Sequence, residues 1–270
     1  MKKERVDVLA FNQGLFETRE KAKRGVMAGL VYNQNNERLD KAGEKIPVDT
    51  LLQLKGQKLP YVSRGGLKLE KALKVFDLSI AAKIVLDIGA STGGFTDVAL
   101  QNGARMSYAL DVGYNQLAWK IRQDERVEVM ERVNFRYSKP ADFTKGQPDF
   151  ATIDVSFISL KLILPPLHEI IKKGGDVVAL IKPQFEAGRD AVGKKGIIKD
   201  PKIHLQVVEE ITNFALNAGY DLTGLTYSPI TGGEGNIEFL AHLVASETTG
   251  EIAAGIDLTA VVNDAHQQLD

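Results

Sequence analysis

Four charged residues, Lys68, Asp154, Lys182 and Glu238, have the types and settings that chemistry needs. Asp154 and Lys182 each close a short branched apolar run, 150–154 and 177–182, so each reads as the last residue of a buried strand. Glu238 opens a further run, 237–243, that follows another strand, 222–227, with no helix between them; the pair reads as an antiparallel hairpin. In an open α/β sheet, ligands bind at the carboxyl ends of the parallel strands, and the start of an antiparallel strand lies on that same edge. Lys68 sits off the apolar stripe of Leu69, Ala72, Leu73 and Phe76 on the helix that precedes the first sheet strand, free to reach the edge. Four groups of alternating sign then converge. A lysine near a like charge or in an apolar setting can act as a base, and carboxylates orient ammonium groups. The bland alternative is a structural ion-pair network.

The second constellation is Ile84-Val85-Leu86-Asp87-Ile88-Gly89-Ala90-Ser91-Thr92-Gly93-Gly94-Phe95-Thr96-Asp97. It reads as strand, tight turn and helix, with glycine where backbone must come close to a ligand and free helical N–H groups beyond. The spacing Asp-x-Gly-x-x-x-Gly-Gly differs from the Gly-x-Gly-x-x-Gly of dinucleotide folds. It resembles the first motif of class I S-adenosylmethionine-dependent methyltransferases, with a dehydrogenase as the less favoured reading. On that resemblance Gly89, Ser91, Gly93, Gly94 and Phe95 form the cofactor turn and Asp87 lies near the methionine end. Asp111, at the end of the next strand, accepts from ribose hydroxyls, and Asn134 meets the adenine edge.

The elements that position these groups follow from the rest of the chain. Its 270 residues, 44% apolar and 26% charged, suit one large and one small globular domain. There is no cysteine, which excludes disulfides, thiolate metal sites and a cysteine nucleophile. No apolar run approaches a membrane span and the first residues carry no signal-peptide pattern, so a cytoplasmic protein is expected. Charge is uneven: residues 1–60 carry 12 Lys and Arg against 8 Asp and Glu, whereas the whole chain is at −1. A small basic domain on a less basic body suggests a nucleic-acid partner.

In that head, 4–13 predicts a short helix stopped by Gly14, Thr18 caps a second helix to Ala28, and short strands fall at 30–32 and 51–54. Lys55 to Pro60 reads as a linker. Ser63 opens the helix that bears Lys68. Strands at 84–88, 107–111, 127–131, 150–154 and 177–182, with helical stretches such as 160–172, imply a parallel doubly wound sheet. A helix from Pro201 to Gly219 precedes the hairpin. The stretch 246–270 is acidic, and Ile256, Ala260 and Val261 suit a closing helix or else a frayed tail.

Two resemblances then become specific. Arg5-Val6-Asp7, Thr18-Arg19-Glu20-Lys21-Ala22-Lys23, Gly29-x-Val31-x-Asn33 and Asp49-x-Leu51 resemble the ribosomal-protein S4 type of RNA-binding domain, with Gln34 departing where glycine is usual. Ser63-Arg64-Gly65-Gly66-x-Lys68-Leu69, the glycine-rich turn, Asp154-x-Ser156-Phe157-Ile158-Ser159-Leu160, Lys182-Pro183-Gln184-Phe185-Glu186 and Gly235-Asn236-x-Glu238 resemble the TlyA family. That resemblance implies an S4-type domain over 1–55, a linker over 56–62, an FtsJ-like Rossmann-like class I methyltransferase domain over 63–245 with a mostly parallel seven-stranded sheet containing one antiparallel strand, and a tail over 246–270. It implies S-adenosylmethionine as cofactor, no metal, ribosomal RNA or ribosomal subunits as partner, and methylation of a cytidine ribose 2′-hydroxyl. The catalytic set becomes Lys68, Asp154, Lys182 and Glu238, with Lys182 as base. RNA contacts are expected from Arg5, Arg19, Lys21, Lys23, Arg24 and Arg64, and from Arg189, Lys194 and Lys195 in the long segment after Lys182. Family members differ in whether one or both subunits are targets; this chain leans to both. Cytosine C5 chemistry would need a cysteine adduct, and exocyclic-amine methylation commonly shows Asp/Asn-Pro-Pro-Tyr/Phe where this chain has Asp154-Val155-Ser156-Phe157. The competing classes are a non-catalytic RNA-binding or assembly factor and a hemolysin, the latter with little physical basis in this sequence.

Overall fold

The computed structural model describes residues 2–55, 59–188, 192–193, 196–232 and 235–269. The chain divides into two compact units, Met1–Leu59 and Pro60–Asp270.

In the first unit, β1 (Lys3–Arg5) leads directly into α1 (Val6–Asn12), followed by α2 (Arg19–Met27), β2 (Val31–Asn33), β3 (Arg38–Leu39), β4 (Lys45–Pro47) and β5 (Leu52–Leu54). The expected helix at 4–13 therefore starts later, because Lys3, Glu4 and Arg5 pair antiparallel with Pro47, Ile46 and Lys45. A partner forty residues away overrides a local helical pattern. Thr18 caps α2 as expected, its hydroxyl accepting from the Lys21 N–H at 3.2 Å. At the Asn33–Asn36 turn, Asn36 takes the left-handed conformation (φ 63°) and the Asn33 side chain accepts from the Asn35 and Glu37 N–H groups. Asparagine chemistry thus replaces the glycine that the pattern lacks. Val6, Leu9, Ala22, Val26, Val31 and Leu52 form the core.

The second unit holds α3 (Gly66–Val75), β6 (Ile84–Ile88), α4 (Gly94–Gln101), β7 (Met106–Asp111), α5 (Trp119–Arg122), β8 (Val127–Glu131), β9 (Phe150–Ile153), α6 (Leu164–Ile170), β10 (Asp176–Ile181), α7 (Pro183–Glu186), α8 (Pro201–Asn217), β11 (Tyr220–Tyr227), β12 (Phe239–Ala245) and α9 (Leu258–Leu269). The sheet order is β11-β12-β10-β9-β6-β7-β8, and only β12 runs against the rest. Two hydrophobic clusters occupy its two faces, one built with α6, α8 and α9, the other with α3 and α4.

Two boundaries differ from expectation, and the tail takes one of its two expected forms. The helix opened by Ser63 begins at Gly66, after a turn in which the Ser63 carbonyl accepts from the Gly66 N–H. The stretch 160–172 is a 3-10 turn followed by α6, since Pro165 and Pro166 lack the N–H groups needed to continue a helix through them. The acidic tail folds as α9 against α8 and β11, burying Val262 and Ala265 while Ala260 stays exposed. No helix among the described residues is long and apolar enough to cross a membrane.

Candidate active site

Strand register brings the four charged residues together. Ile181 lies opposite Phe239, so the residues just outside that pair, Lys182 and Glu238, share one edge. Ile88 lies beside Ile153, which puts Gly89 and Asp154 on the same edge. Leu69 and Ala72 of α3 pack with Leu240, Val178 and Phe95, and this turns Lys68 inward.

The result is a continuous chain of charge. Lys68 Nζ donates to Glu238 Oε2 at 2.7 Å and to Asp154 Oδ2 at 3.4 Å, and Lys182 Nζ meets Asp154 Oδ1 at 2.5 Å. Lys182 also donates to the Ser156 hydroxyl at 3.3 Å. Lys68, Lys182 and Glu238 are buried, at 7%, 7% and 2% exposure. Burial pushes the Asp154 carboxyl up, but Lys182 and Lys68 outweigh it and hold the group below the usual carboxylate range.

These residues line a cavity of about 610 Å³ with Ser63, Arg64, Gly89 to Thr92, Gly94 and Phe95. A second cavity of about 750 Å³ shares the walls Gly89, Ser91, Asp154, Ser156, Phe157 and Phe185 and extends past Asp111 and Asn134. The turn between them needs glycine at two points. Gly89 has φ 86°, and a Cβ there would come within 2.4 Å of the Asp154 carbonyl oxygen. Gly94 presses on the Ser63 hydroxyl, where a Cβ would lie at 2.3 Å. Asp111 accepts from the Ser91 and Gly113 N–H groups, both at 2.7 Å, which fixes its carboxylate at the lip of the second cavity.

Two expected cofactor residues stand behind the turn. Asp87 lines neither cavity; its oxygens accept from the Thr96 N–H and hydroxyl and from the Thr152 hydroxyl, tying β6, α4 and β9 together. Burial, opposed by those bonds, pushes its carboxyl up to about 6. Gly93, at φ 96°, faces Leu117 and Ile121. Asn134 lines the second cavity while its side chain caps the turn that follows.

The basic residues separate into two groups. Arg5, Arg19 and Lys23 line one concavity with Asp7 and Glu20. Lys21 pairs with Glu17, and Arg24 with Glu20 at 3.5 Å. Arg64 is exposed at the wall of the first cavity. Arg189, Lys194 and Lys195 lie outside the described residues. Sequence reasoning gave no role to Phe157, which is 90% exposed with φ 63° and packs at 4.9 Å on the Phe185 ring, nor to Gln184 beside it. An exposed aromatic held in left-handed backbone is costly, and only tertiary structure reveals it. Among the described residues no cluster of three His, Cys, Asp or Glu could hold a metal ion.

Residues 61–245 match the FtsJ-like methyltransferase model. The chain belongs to that family. This methyltransferase is 63% identical over 270 residues to YqxC of Bacillus subtilis, a candidate rRNA methyltransferase, covering 99% of this chain and 96% of the relative. It is 37% identical over 253 residues to the 16S/23S rRNA (cytidine-2′-O)-methyltransferase TlyA of Mycobacterium tuberculosis, covering 94% of each. A solved structure from Streptococcus thermophilus, described as a candidate hemolysin, superposes with TM-score 0.81 at 62% identity over 99% of this chain and 97% of that one.

Proposed function

We propose that this methyltransferase methylates the ribose 2′-hydroxyl of a cytidine in ribosomal RNA, with S-adenosylmethionine as donor and Lys182 as base. The observation that carries the reading is the ion-paired line Glu238, Lys68, Asp154, Lys182 on a cavity wall shared with the glycine turn. The backbone of Gly89 to Thr92 and the Asp111 carboxylate would hold the cofactor, which supplies an electrophilic methyl on sulfonium. The cavities on either side of the glycine turn and the fixed acceptor at Asp111 fit such a molecule.

A ribose hydroxyl is a weak nucleophile, so attack needs positioning and removal of its proton. Lys182 is the group that takes the proton. Asp154, kept ionised by two lysines, orients that nitrogen, and Lys68, fixed by Glu238, holds the other carboxylate oxygen in place. The basic face of the first unit supplies affinity through phosphates and RNA shape. Names among the relatives, rRNA and cytidine-2′-O, support the substrate class, and 16S/23S supports both subunits.

The test is transfer of labelled methyl from S-adenosylmethionine to separated ribosomal subunits and naked rRNA, mapping the product nucleotide. Label on cytidine ribose that is lost in Lys182→Ala is the expected result. Measurable cofactor binding without label in any RNA would point instead to an assembly factor.

A further inference from the structure

Gln184 follows Lys182 by two residues and lines the cavity that holds the charged chain. Its Nε2 donates to Glu238 Oε1 at 3.1 Å. A carboxylate only accepts, so turning the amide over would set oxygen against oxygen. Oε1 is thereby fixed as an acceptor. That oxygen is buried and has no hydrogen-bond partner among the described residues, an arrangement that is rare in native proteins and calls for an explanation. Gly232 preserves the space, since a Cβ there would fall within 2.2 Å of Glu238 Oε1 and 3.5 Å of Gln184 Nε2. The same wall carries the Phe157 and Phe185 rings, which offer aromatic surface to a heterocycle.

We propose that Gln184 Oε1 accepts a hydrogen bond from the exocyclic amino group of the base whose ribose is methylated, and so selects cytosine over uracil. This rests on the function proposed above. Cytosine presents the N4 amino donor where uracil presents the O4 acceptor. A fixed, desolvated acceptor opposite O4 leaves both oxygens unpaired, and sites built this way discriminate far better than apolar pockets do. Gln184 is a specificity residue here; the proton is handled elsewhere in the chain.

The experiment compares kcat/KM for RNA carrying cytidine or uridine at the methylated position, using the full chain and Gln184→Met. Both substrates meet the same preparation, so any general damage from the lost Glu238 contact cancels in the ratio. The cytidine-to-uridine preference should fall about tenfold or more in the variant. A ratio unchanged within about twofold, with both rates reduced alike, overturns the proposal and leaves a purely positioning role. The wild-type chain gives a second reading that needs no variant. With N4,N4-dimethylcytidine at the target its rate should drop to the uridine level, and a rate equal to that on cytidine overturns the proposal. Absence of cytidine ribose methylation by the wild type would overturn the function itself, a separate and recognisable result.

Discussion

Replacing Lys68 by methionine removes the central cation of the charged chain while keeping its length. Among the described residues Glu238, 2% exposed, then retains only the Gln184 amide at 3.1 Å, and Asp154 loses one of its two lysines. Truncating one partner of a buried ion pair costs about 3–5 kcal/mol, mostly through the charge left behind. For a domain of this size that is roughly 6–20 °C in melting temperature. Glu238→Gln alone leaves Lys68 with Asp154 at 3.4 Å and costs less. The double variant Lys68→Met/Glu238→Gln removes both charges, and a coupling of about 1–3 kcal/mol should leave it that much more stable than the sum of the two single losses. Circular dichroism melts of the four proteins at one pH and salt complete the cycle, and labelled methyl transfer measured in parallel should be lost in all three variants. If Lys68→Met melted within about 2 °C of wild type, or the double variant lost simply the sum of the singles, the chain would be solvated rather than buried, and its pairing would not be what positions Lys182.

Asp87 links stability to pH. A carboxyl raised to about 6 in the folded state contributes stability that is complete below its unfolded value and lost as pH rises through about 6, a change on the order of 3 kcal/mol. Unfolding free energies between pH 4 and 7.5 should therefore diverge from those of Asp87→Asn, and parallel curves would exclude the effect. Gly89→Ala meets the Asp154 carbonyl oxygen at 2.4 Å in a left-handed position, so calorimetry should show S-adenosylmethionine binding abolished while rRNA affinity is kept. Because Arg19 and Lys23 share a concavity whereas Lys21 and Arg24 are occupied by Glu17 and Glu20, Arg19→Gln and Lys23→Gln should each lower the salt slope of RNA binding by about 1, and Lys21→Gln by less. Equal slopes for all three variants would deny that arrangement.

Patterns set by neighbouring residues were legible in the sequence alone. Branched runs closed by Asp154 and Lys182, three glycines within six positions after Asp87, the Thr18 cap and the basic first sixty residues each depend on groups a few positions apart. Strand alternation then fixed a mostly parallel sheet and the edge on which its polar ends collect. Which groups touch was a different matter. Lys68 reaches Asp154 across 86 positions and Glu238 across 170, and those bonds exist because β12 enters antiparallel beside β10 in a register that no local pattern states. Asp87, an acid where a cofactor contact was expected, is spent on Thr96 and Thr152. Lys3 to Arg5 became a strand because Lys45 to Pro47 lay beside it. Gln184, an ordinary polar residue in the sequence, gained its meaning only when Glu238 claimed its nitrogen and packing buried its oxygen. Sequence carries residue type and period; burial and pairing across long separations arise only when packing closes around them, and these turn an ionisable or polar side chain into a site.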